Sequence, residues 1–239
     1  MNTEISIIIP VFNEENRLES CFKAIEYFFS FHNFSLSEVI FVDDGSKDKT
    51  LELVENFQKK YPDLVQVFFY NENKGKGYAV RVGMMKAKYQ YRIFLDADLS
   101  VSLDQINKLK IYMKSEPIVV IGSRNLKGSN VSVKQSLIRR KLGGLYIVIA
   151  NFITGANVSD FTCGFKCFSK ESVEIIFREA KINRWSFDAE VLFLAKKHKI
   201  PITEIPVIWR NDPETKVSMI WDGLRAFFDL LRIRFIHFY

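Results

Sequence analysis

Two carboxylates one residue apart, Asp96 and Asp98, close the most apolar strand-like run of the chain and stand just before a helix start at Ser100 or Ser102. Carboxylates that close repel one another unless a cation neutralises them, and hard oxygen donors suit Mg²⁺ or Mn²⁺. A cation held there can bridge the two phosphates of a nucleotide sugar and stabilise the charge on a departing diphosphate. Exposed turns and N-caps also produce Asp-x-Asp, so the position at a strand end is what singles this pair out. A second pair, Asp43 and Asp44, begins Asp-Asp-Gly-Ser (43–46) after another strand-like run. Carboxylates there can accept from a base N–H or a ribose hydroxyl, although a turn with an N-cap accounts for them almost as well. Asn-Lys-Gly-Lys-Gly (73–77) opens a helix, where glycines permit close backbone approach and a lysine such as Lys76 can meet phosphate. Its glycines, Gly75, Gly77 and Gly83, lack the GxGxxG order of a dinucleotide fold and follow the third strand rather than the first.

Charge distribution supplies a further signal. Between residues 117 and 159 there is no Asp or Glu, while Arg124, Lys127, Lys134, Arg139, Arg140 and Lys141 all fall inside. A solvated loop is the ordinary explanation; a one-sign block without a compensating carboxylate is more simply a phosphate-facing surface. The formal net charge of +6 likewise favours anionic partners, among them nucleotides and phospholipid surfaces. No recognition helix or aromatic-interleaved sheet motif accompanies it, so nucleic acid is not an expected partner.

These motifs need a scaffold that collects strand ends. Short β-branched runs at residues 5–9, 39–42, 65–70, 92–95 and 119–121 alternate with amphipathic stretches at 14–29, 49–60, 77–88 and 103–115. That is the pattern of an α/β fold with a doubly wound, mostly parallel sheet and helices on both faces. Ligands of such sheets lie outside the carboxyl ends of the strands, where residues 10–14, 43–46, 96–98 and 122–124 all fall. Further helices are expected at 136–154, 170–180 and 187–198, and a strand at 203–209. The apolar run 142–153 carries Gly143 and Gly144 and is shorter than the roughly 20 residues of a spanning helix, so it reads as a core helix.

A 48% apolar share over 239 residues can build one large core, and no linker or repeat divides the chain. Residues 1–216 are therefore expected to form one catalytic domain. In 217–239, Asp222, Arg225, Asp229 and Arg232 make a narrow polar stripe on an otherwise apolar helix. Such a helix suits a membrane interface, or packing on the domain or on a partner subunit. Cys21, Cys163 and Cys167 form no CxxC pair, which suggests neither a disulfide framework nor structural zinc and fits a reducing cytoplasm. The absence of a basic n-region before residue 5 argues against a signal peptide. The expected location is cytoplasmic, peripheral at the cytoplasmic face of a membrane.

Taken together, Ile-Ile-Pro-Val-Phe-Asn-Glu (8–14), Val-Asp-Asp-Gly-Ser (42–46), Asn-Lys-Gly-Lys-Gly-Tyr-Ala-Val-Arg-Val-Gly (73–83), Asp-Ala-Asp (96–98) and Gly-Ser-Arg (122–124) are far more specific than any one alone. On these motifs the sequence resembles the family 2 glycosyltransferases, most of all the dolichyl-phosphate β-glucosyltransferases, with the dolichyl-phosphate mannose synthases close by. Asp-Phe-Thr-Cys-Gly-Phe-Lys (160–166), Arg-Trp-Ser-Phe-Asp-Ala-Glu (184–190), Glu-Ile-Pro-Val-Ile-Trp (204–209) and the closing Asp-Leu-Leu-x-Ile-Arg (229–234) extend the likeness over essentially the whole chain. The resemblance implies a GT-A fold, a nucleotide-diphosphate sugar donor, with UDP-glucose first and GDP-mannose second, and inversion at the anomeric carbon. It implies that Pro10, Phe12, Glu14, Asp43 and Asp44 hold the nucleoside, that Asp96 and Asp98 hold ribose, metal and diphosphate, and that Arg124 faces the phosphates. It also places Asp160 near the acceptor as a base or an orienting group. The sequence departs from the pattern at its start, without the membrane helix typical of the eukaryotic glucosyltransferases, and at Ser100, where some mannose synthases place a Gln metal ligand.

A polyprenyl phosphate acceptor, dolichyl or undecaprenyl, fits the charge pattern. A phosphate monoester has a second pKa of about 6 and is largely dianionic at neutral pH, so it needs little deprotonation. What it needs is escort past the donor diphosphate, for which Arg124, Arg139, Arg140 and Lys216 are the candidates. Two rivals share some features. A family member using a polysaccharide or glycolipid acceptor would show the same donor motifs. A sugar nucleotidyltransferase also needs an α/β sheet and metal-binding Asp, but generally carries a Gly-rich, Arg-bearing loop after its first strand, where this chain has Pro-Val-Phe-Asn-Glu-Glu.

Overall fold

A computed structural model describes residues 4–31, 36–113, 117–132, 137–210 and 221–237, giving backbone only at 31, 36, 137–140 and 221–224. In chain order the elements are β1 (Glu4–Val11), α1 (Leu18–Phe31), β2 (Leu36–Asp43), α2 (Thr50–Lys60), β3 (Val65–Phe69), α3 (Lys76–Lys86) and β4 (Tyr91–Leu95). A 3₁₀ segment (Leu103–Ile111), β5 (Val119–Ser123), β6 (Asn130–Val131) and α4 (Leu137–Thr154) follow. Then come β7 (Phe165–Ser169), α5 (Lys170–Glu179), α6 (Phe187–Lys197), β8 (Ile202–Pro206), β9 (Ile208–Trp209) and α7 (Trp221–Ile236).

Among the described residues seven strands form the central sheet in the order β3-β2-β1-β4-β7-β5-β8, and β6 pairs with β9 in a small second sheet. Successive strand side chains point to opposite faces, and the isoleucines of β1 show what that does here. Ile5, Ile7 and Ile9 enter a core built with Leu18, Ile25 and Phe28 of α1 and Val54 and Phe57 of α2. Ile8 enters the other, with Val80 and Met84 of α3, Val173 of α5, Leu192 of α6 and Leu230 of α7. Burial on both faces is why these strands read as continuous apolar runs rather than alternating ones.

The fold differs from the sequence expectation at one element that matters for the site. β7, not anticipated, lies between β4 and β5 and is antiparallel to both, with Leu95 opposite Phe165 and Ile121 opposite Lys166. Its amino end therefore meets the carboxyl ends of β4 and β5, and brings residues 160–164 to the same sheet edge as 96–98 and 122–124. The strand expected at 203–209 is split at Val207 between the two sheets. The 142–153 run also differs from a core helix. Leu142, Leu145, Val148 and Phe152 of α4 are exposed, Phe152 at 85%, while Ala150 and Ile153 are buried. Among the described residues no helix is long and apolar enough to cross a membrane.

Candidate active site

The ends of β1 and β2 are stitched into one unit. Asp44 N–H donates to Val11 O at 2.9 Å, Asn13 N–H to Ser46 Oγ at 2.9 Å, and Lys47 N–H to Asn13 Oδ1 at 2.8 Å. Pro10, Phe12 and Glu14 lie on the β1 side of this seam, with Glu14 N–H donating to Thr50 Oγ1 at 2.7 Å. Asp43 is buried and accepts from the Ser46 hydroxyl and, at 3.1 Å, the Ser46 amide; burial raises its pKa, against the pull of those hydrogen bonds. Asp44 is differently engaged. It accepts from Tyr70 Oη at 2.7 Å, Asn73 Nδ2 at 2.8 Å, and the amides of Lys74 at 2.8 Å and Gly75 at 2.9 Å. With its acceptor capacity used, Asp44 shapes the 73–75 loop at the mouth of α3 rather than presenting a bare carboxylate.

That loop delivers Lys76 to the end of β4. Gly75 sits at φ 105°, in the region glycine favours, and a Cβ there would run into the Asn183 carbonyl. Lys76 Nζ lies 2.6 Å from Asp96 Oδ1, 5.1 Å over the Phe94 ring and 5.2 Å over the Trp185 ring. Burial alone would lower the Lys76 pKa; the charges of Asp96 and Asp188 outweigh it and raise the value. The other Asp96 oxygen packs against Gly164, where any Cβ would overlap the carboxylate. Beyond Asp96 the chain turns through Leu99 at φ 46°, a positive value uncommon for a residue with a Cβ, with the Leu99 amide bonded to Asp96 O at 3.0 Å. This turn leaves Asp98 accessible to solvent, its Oδ1 accepting the Ser100 amide at 2.8 Å. Surrounding protein still strips enough water, and Asp96 adds enough negative charge, to raise the Asp98 pKa.

Arg124, at the end of β5, is not a bare cation. Its Nε and Nη2 fork onto the Asp160 carboxylate at 2.7 and 2.8 Å, its amide adds a third bond at 3.0 Å, and Nη2 also reaches Thr162 Oγ1 at 2.8 Å. Trp209 covers the guanidinium at 5.4 Å. Burial pushes the Asp160 pKa up, and the Arg124 hydrogen bonds and charge more than reverse it, so the net shift is downward. The carboxylate-free block thus finds its counter-charge at residue 160, immediately past its end. The side chains of Arg139 and Arg140, and all of Lys216, lie outside the described residues.

Two residues with no expected role complete the cluster. Lys166 of β7 and Asp188 of α6 are both buried and bonded at 2.5 Å, and Lys166 Nζ also donates to Cys163 O at 2.7 Å. Burial raises the Asp188 pKa while the charges of Lys166 and Lys76 oppose it. Tyr146 of α4 belongs to the same neighbourhood: burial, then the charges of Asp188 and Asp229, raise its phenol pKa. Both residues lie in the 160–166 and 184–190 motifs; the signal was a Lys and an Asp set among apolar neighbours, which in a buried element must find each other. Trp185, 40% exposed, is the aromatic that covers Lys76 from the solvent side.

Among the described residues no three His, Cys, Asp or Glu side chains gather as a metal cage. Asp96 and Asp98 still suit a hard cation of the Mg²⁺ or Mn²⁺ kind, which keeps water or phosphate in most of its coordination sphere and takes one or two protein carboxylates.

The family model described as Glycosyl transferase family 2 matches residues 6–177. A dolichyl-phosphate beta-glucosyltransferase of Dictyostelium discoideum is 33% identical over 98% of this chain and 75% of its own length. Among solved structures, glucosyl-3-phosphoglycerate synthase from Mycobacterium tuberculosis in complex with Mn²⁺, uridine diphosphate and glucosyl-3-phosphoglycerate aligns with a TM-score of 0.63 at 17% identity, over 97% of this chain and 78% of that one. The mannosyltransferase PcManGT from Pyrobaculum calidifontis in complex with GDP-Man and Mn²⁺ aligns with a TM-score of 0.64 at 19% identity, over 97% and 65%.

Proposed function

The chain belongs to the family 2 glycosyltransferases, and from that premise we propose that it moves glucose from UDP-glucose to a dolichyl or undecaprenyl phosphate, inverting the anomeric carbon. One observation supports a phosphate acceptor above all. Three carboxylates at the sheet edge are each matched by a cation: Asp96 by Lys76, Asp160 by Arg124 and Asp188 by Lys166. Carboxylates so engaged are poorly available as bases, which suits a nucleophile that arrives ionised and needs no deprotonation.

In this reading Pro10, Phe12, Glu14 and Asp43 hold the nucleoside, and Asp44 acts through the 73–75 loop that it organises. Asp98, with Asp96, holds Mg²⁺ or Mn²⁺ beside the donor diphosphate, and Lys76 supplies a fixed positive charge there. The cation, when bound, offsets charge on the leaving diphosphate. Arg124, oriented by Asp160, faces the acceptor phosphate, with Arg139, Arg140 and Lys216 as its further escort. Asp160 serves as an orienting group.

The acceptor's lipid calls for a membrane-facing surface, and α4 and α7 offer one. Leu142, Leu145, Val148 and Phe152 recur at helical spacing on the exposed side of α4. On α7, which packs against α4, Phe227, Phe228, Leu231 and Phe235 are likewise exposed. Exposed Lys141, Arg225, Arg232 and Arg234 accompany them, the composition of a surface that lies in the headgroup region of a bilayer. We place the protein at the cytoplasmic face.

A panel of nucleotide sugars with Mg²⁺ or Mn²⁺ and a short polyprenyl phosphate, read by product mass, tests the proposal. A glucosyl-phosphoryl-polyprenol from UDP-glucose, absent in Asp98→Ala, is the expected result. Product only from GDP-mannose would reassign the donor, and pyrophosphate release from a nucleoside triphosphate and a sugar phosphate would replace the reaction class.

A further inference from the structure

Glu190 and His237 are titratable, buried and unused by the reaction just described. Glu190 is wholly buried in α6, and His237 follows α7 at 5% exposure. His237 Nε2 lies 2.7 Å from Glu190 Oε1, and its ring packs against Phe193 at 5.9 Å. The same carboxylate accepts the backbone amides of Lys181 and Ile182, each at 2.8 Å. Lys181 Nζ returns a bond to Ile236 O at 3.1 Å, so the end of α7 and residues 181–182 are tied from both sides.

The strand of chain that Glu190 grips leads directly to Lys76. Ile182 O and the Phe187 Cβ are so near Gly77, and Asn183 O so near Gly75, that no side chain fits at either glycine. Asn183 O accepts the Tyr78 amide at 3.0 Å in the first turn of α3. Trp185, two residues further on, covers Lys76. Residues 181–185 are thus wedged between the Glu190 carboxylate and the helix start that aims Lys76 at Asp96.

We propose that Glu190 and His237 are a positioning pair, which anchors the end of the membrane-facing helix α7 to residues 181–185 and through them fixes the loop that presents Lys76. The pair acts on substrate only through that loop. Its effect on donor binding rests on the reading of Lys76 as a donor-site residue; the mechanical link to residues 74–78 does not.

Hydrogen exchange by mass spectrometry on the full chain separates the two. In His237→Ala, amides of 74–78, Tyr78 above all, should exchange roughly tenfold faster than in wild type, together with 181–184. His237→Gln, whose amide nitrogen can replace Nε2 as the donor to Glu190, should restore wild-type rates. His198→Ala, which removes a histidine paired with Glu179 at 2.8 Å on the surface, should leave 74–78 unchanged. Calorimetric titration with UDP-glucose and Mn²⁺ should show donor affinity about fivefold weaker in His237→Ala and recovered in His237→Gln. Wild-type exchange at 74–78 in His237→Ala overturns the link, as does an increase spread evenly over the chain or one that His237→Gln fails to reverse. If 74–78 responds while wild type binds no nucleotide sugar, the link stands and the donor assignment falls.

Discussion

A carboxylate forked by a guanidinium accepts protons poorly, because protonation breaks two charge-assisted hydrogen bonds and leaves the cation unmatched. Asp160 is in that position under Arg124. Its folded pKa lies below its unfolded value, so the stability it contributes is present above a pH of about 4 and is lost as pH falls through the folded pKa. Two outcomes follow. The kcat/KM profile between pH 5 and 8 should contain no limb that disappears in Asp160→Asn, and finding one would restore Asp160 as a general base. Urea unfolding should show Asp160→Asn destabilised on the order of 3 kcal/mol at pH 7, by an amount that shrinks progressively as pH falls below about 4. Asp98 leads to a prediction about the cation. With Asp96 held by Lys76 and one Asp98 oxygen held by the Ser100 amide, few protein donors remain. Mn²⁺ should bind weakly alone and at least about tenfold more tightly with UDP, because the nucleotide supplies the missing oxygens. Calorimetry with and without nucleotide, in wild type and Asp98→Ala, measures it; equal affinity in both conditions would point to an all-protein site.

At the scale of elements, β7 decides how close the 160–164 loop comes to Asp96, and Gly164 is the point of contact. Gly164→Ala should keep the fold, since Gly164 is not at positive φ and the atoms nearest the added Cβ are all of the Asp96 side chain, yet push the Asp96 carboxylate off Lys76. Transfer should fall roughly a hundredfold with a melting temperature within a few degrees of wild type; unimpaired transfer would mean that the Lys76–Asp96 contact is dispensable. The five parallel-type strands of the first half were legible because Ile, Val and Phe runs stand between more polar stretches, although the helix expected at 103–115 is a 3₁₀ segment at Leu103–Ile111. β7 was not, for a physical reason. Phe-Lys-Cys-Phe-Ser is short and carries a charge at its second residue, so neither periodicity nor continuous apolarity marks it, and Lys166 is tolerable inside because Asp188, 22 residues on, and the Cys163 carbonyl receive it. The same reason hid both residues as members of the site, whereas Asp43, Asp44, Asp96 and Asp98 stood out at strand ends. Lys166→Met should accordingly cost on the order of 3–5 kcal/mol in urea unfolding, with Lys166→Met/Asp188→Leu costing less than the single change. A double variant worse than the single one would show that the pair stabilises beyond mutual neutralisation.

Across the whole molecule, the proposed reaction asks the sheet edge that gathers the acidic motifs and the α4–α7 surface to serve one substrate with two ends, a charged head and an isoprenoid tail. Tyr146 on α4 packs edge-on against Phe161, next to Asp160, at 6.3 Å between ring centres, so α4 borders the site on one face while its opposite face is apolar and exposed. A helix in that position can hold the lipid's entry at the height of the headgroups while the phosphate reaches inward. Phe152 and Phe235, at 85% and 83% exposure, are the side chains with most to gain from a bilayer, about 1.5–3 kcal/mol each for full burial and less at an interface. Phe152→Ser/Phe235→Ser should therefore lower partitioning onto vesicles containing anionic lipid by at least roughly tenfold. Transfer to polyprenyl phosphate embedded in those vesicles should drop in parallel, while transfer to a short, detergent-dispersed polyprenyl phosphate should be nearly unchanged. The difference between the two acceptors is the informative quantity, because a fold defect lowers both and a lost membrane contact lowers only the first. Equal vesicle binding by wild type and the double variant would remove these helices from the membrane and leave their apolar faces to a protein partner.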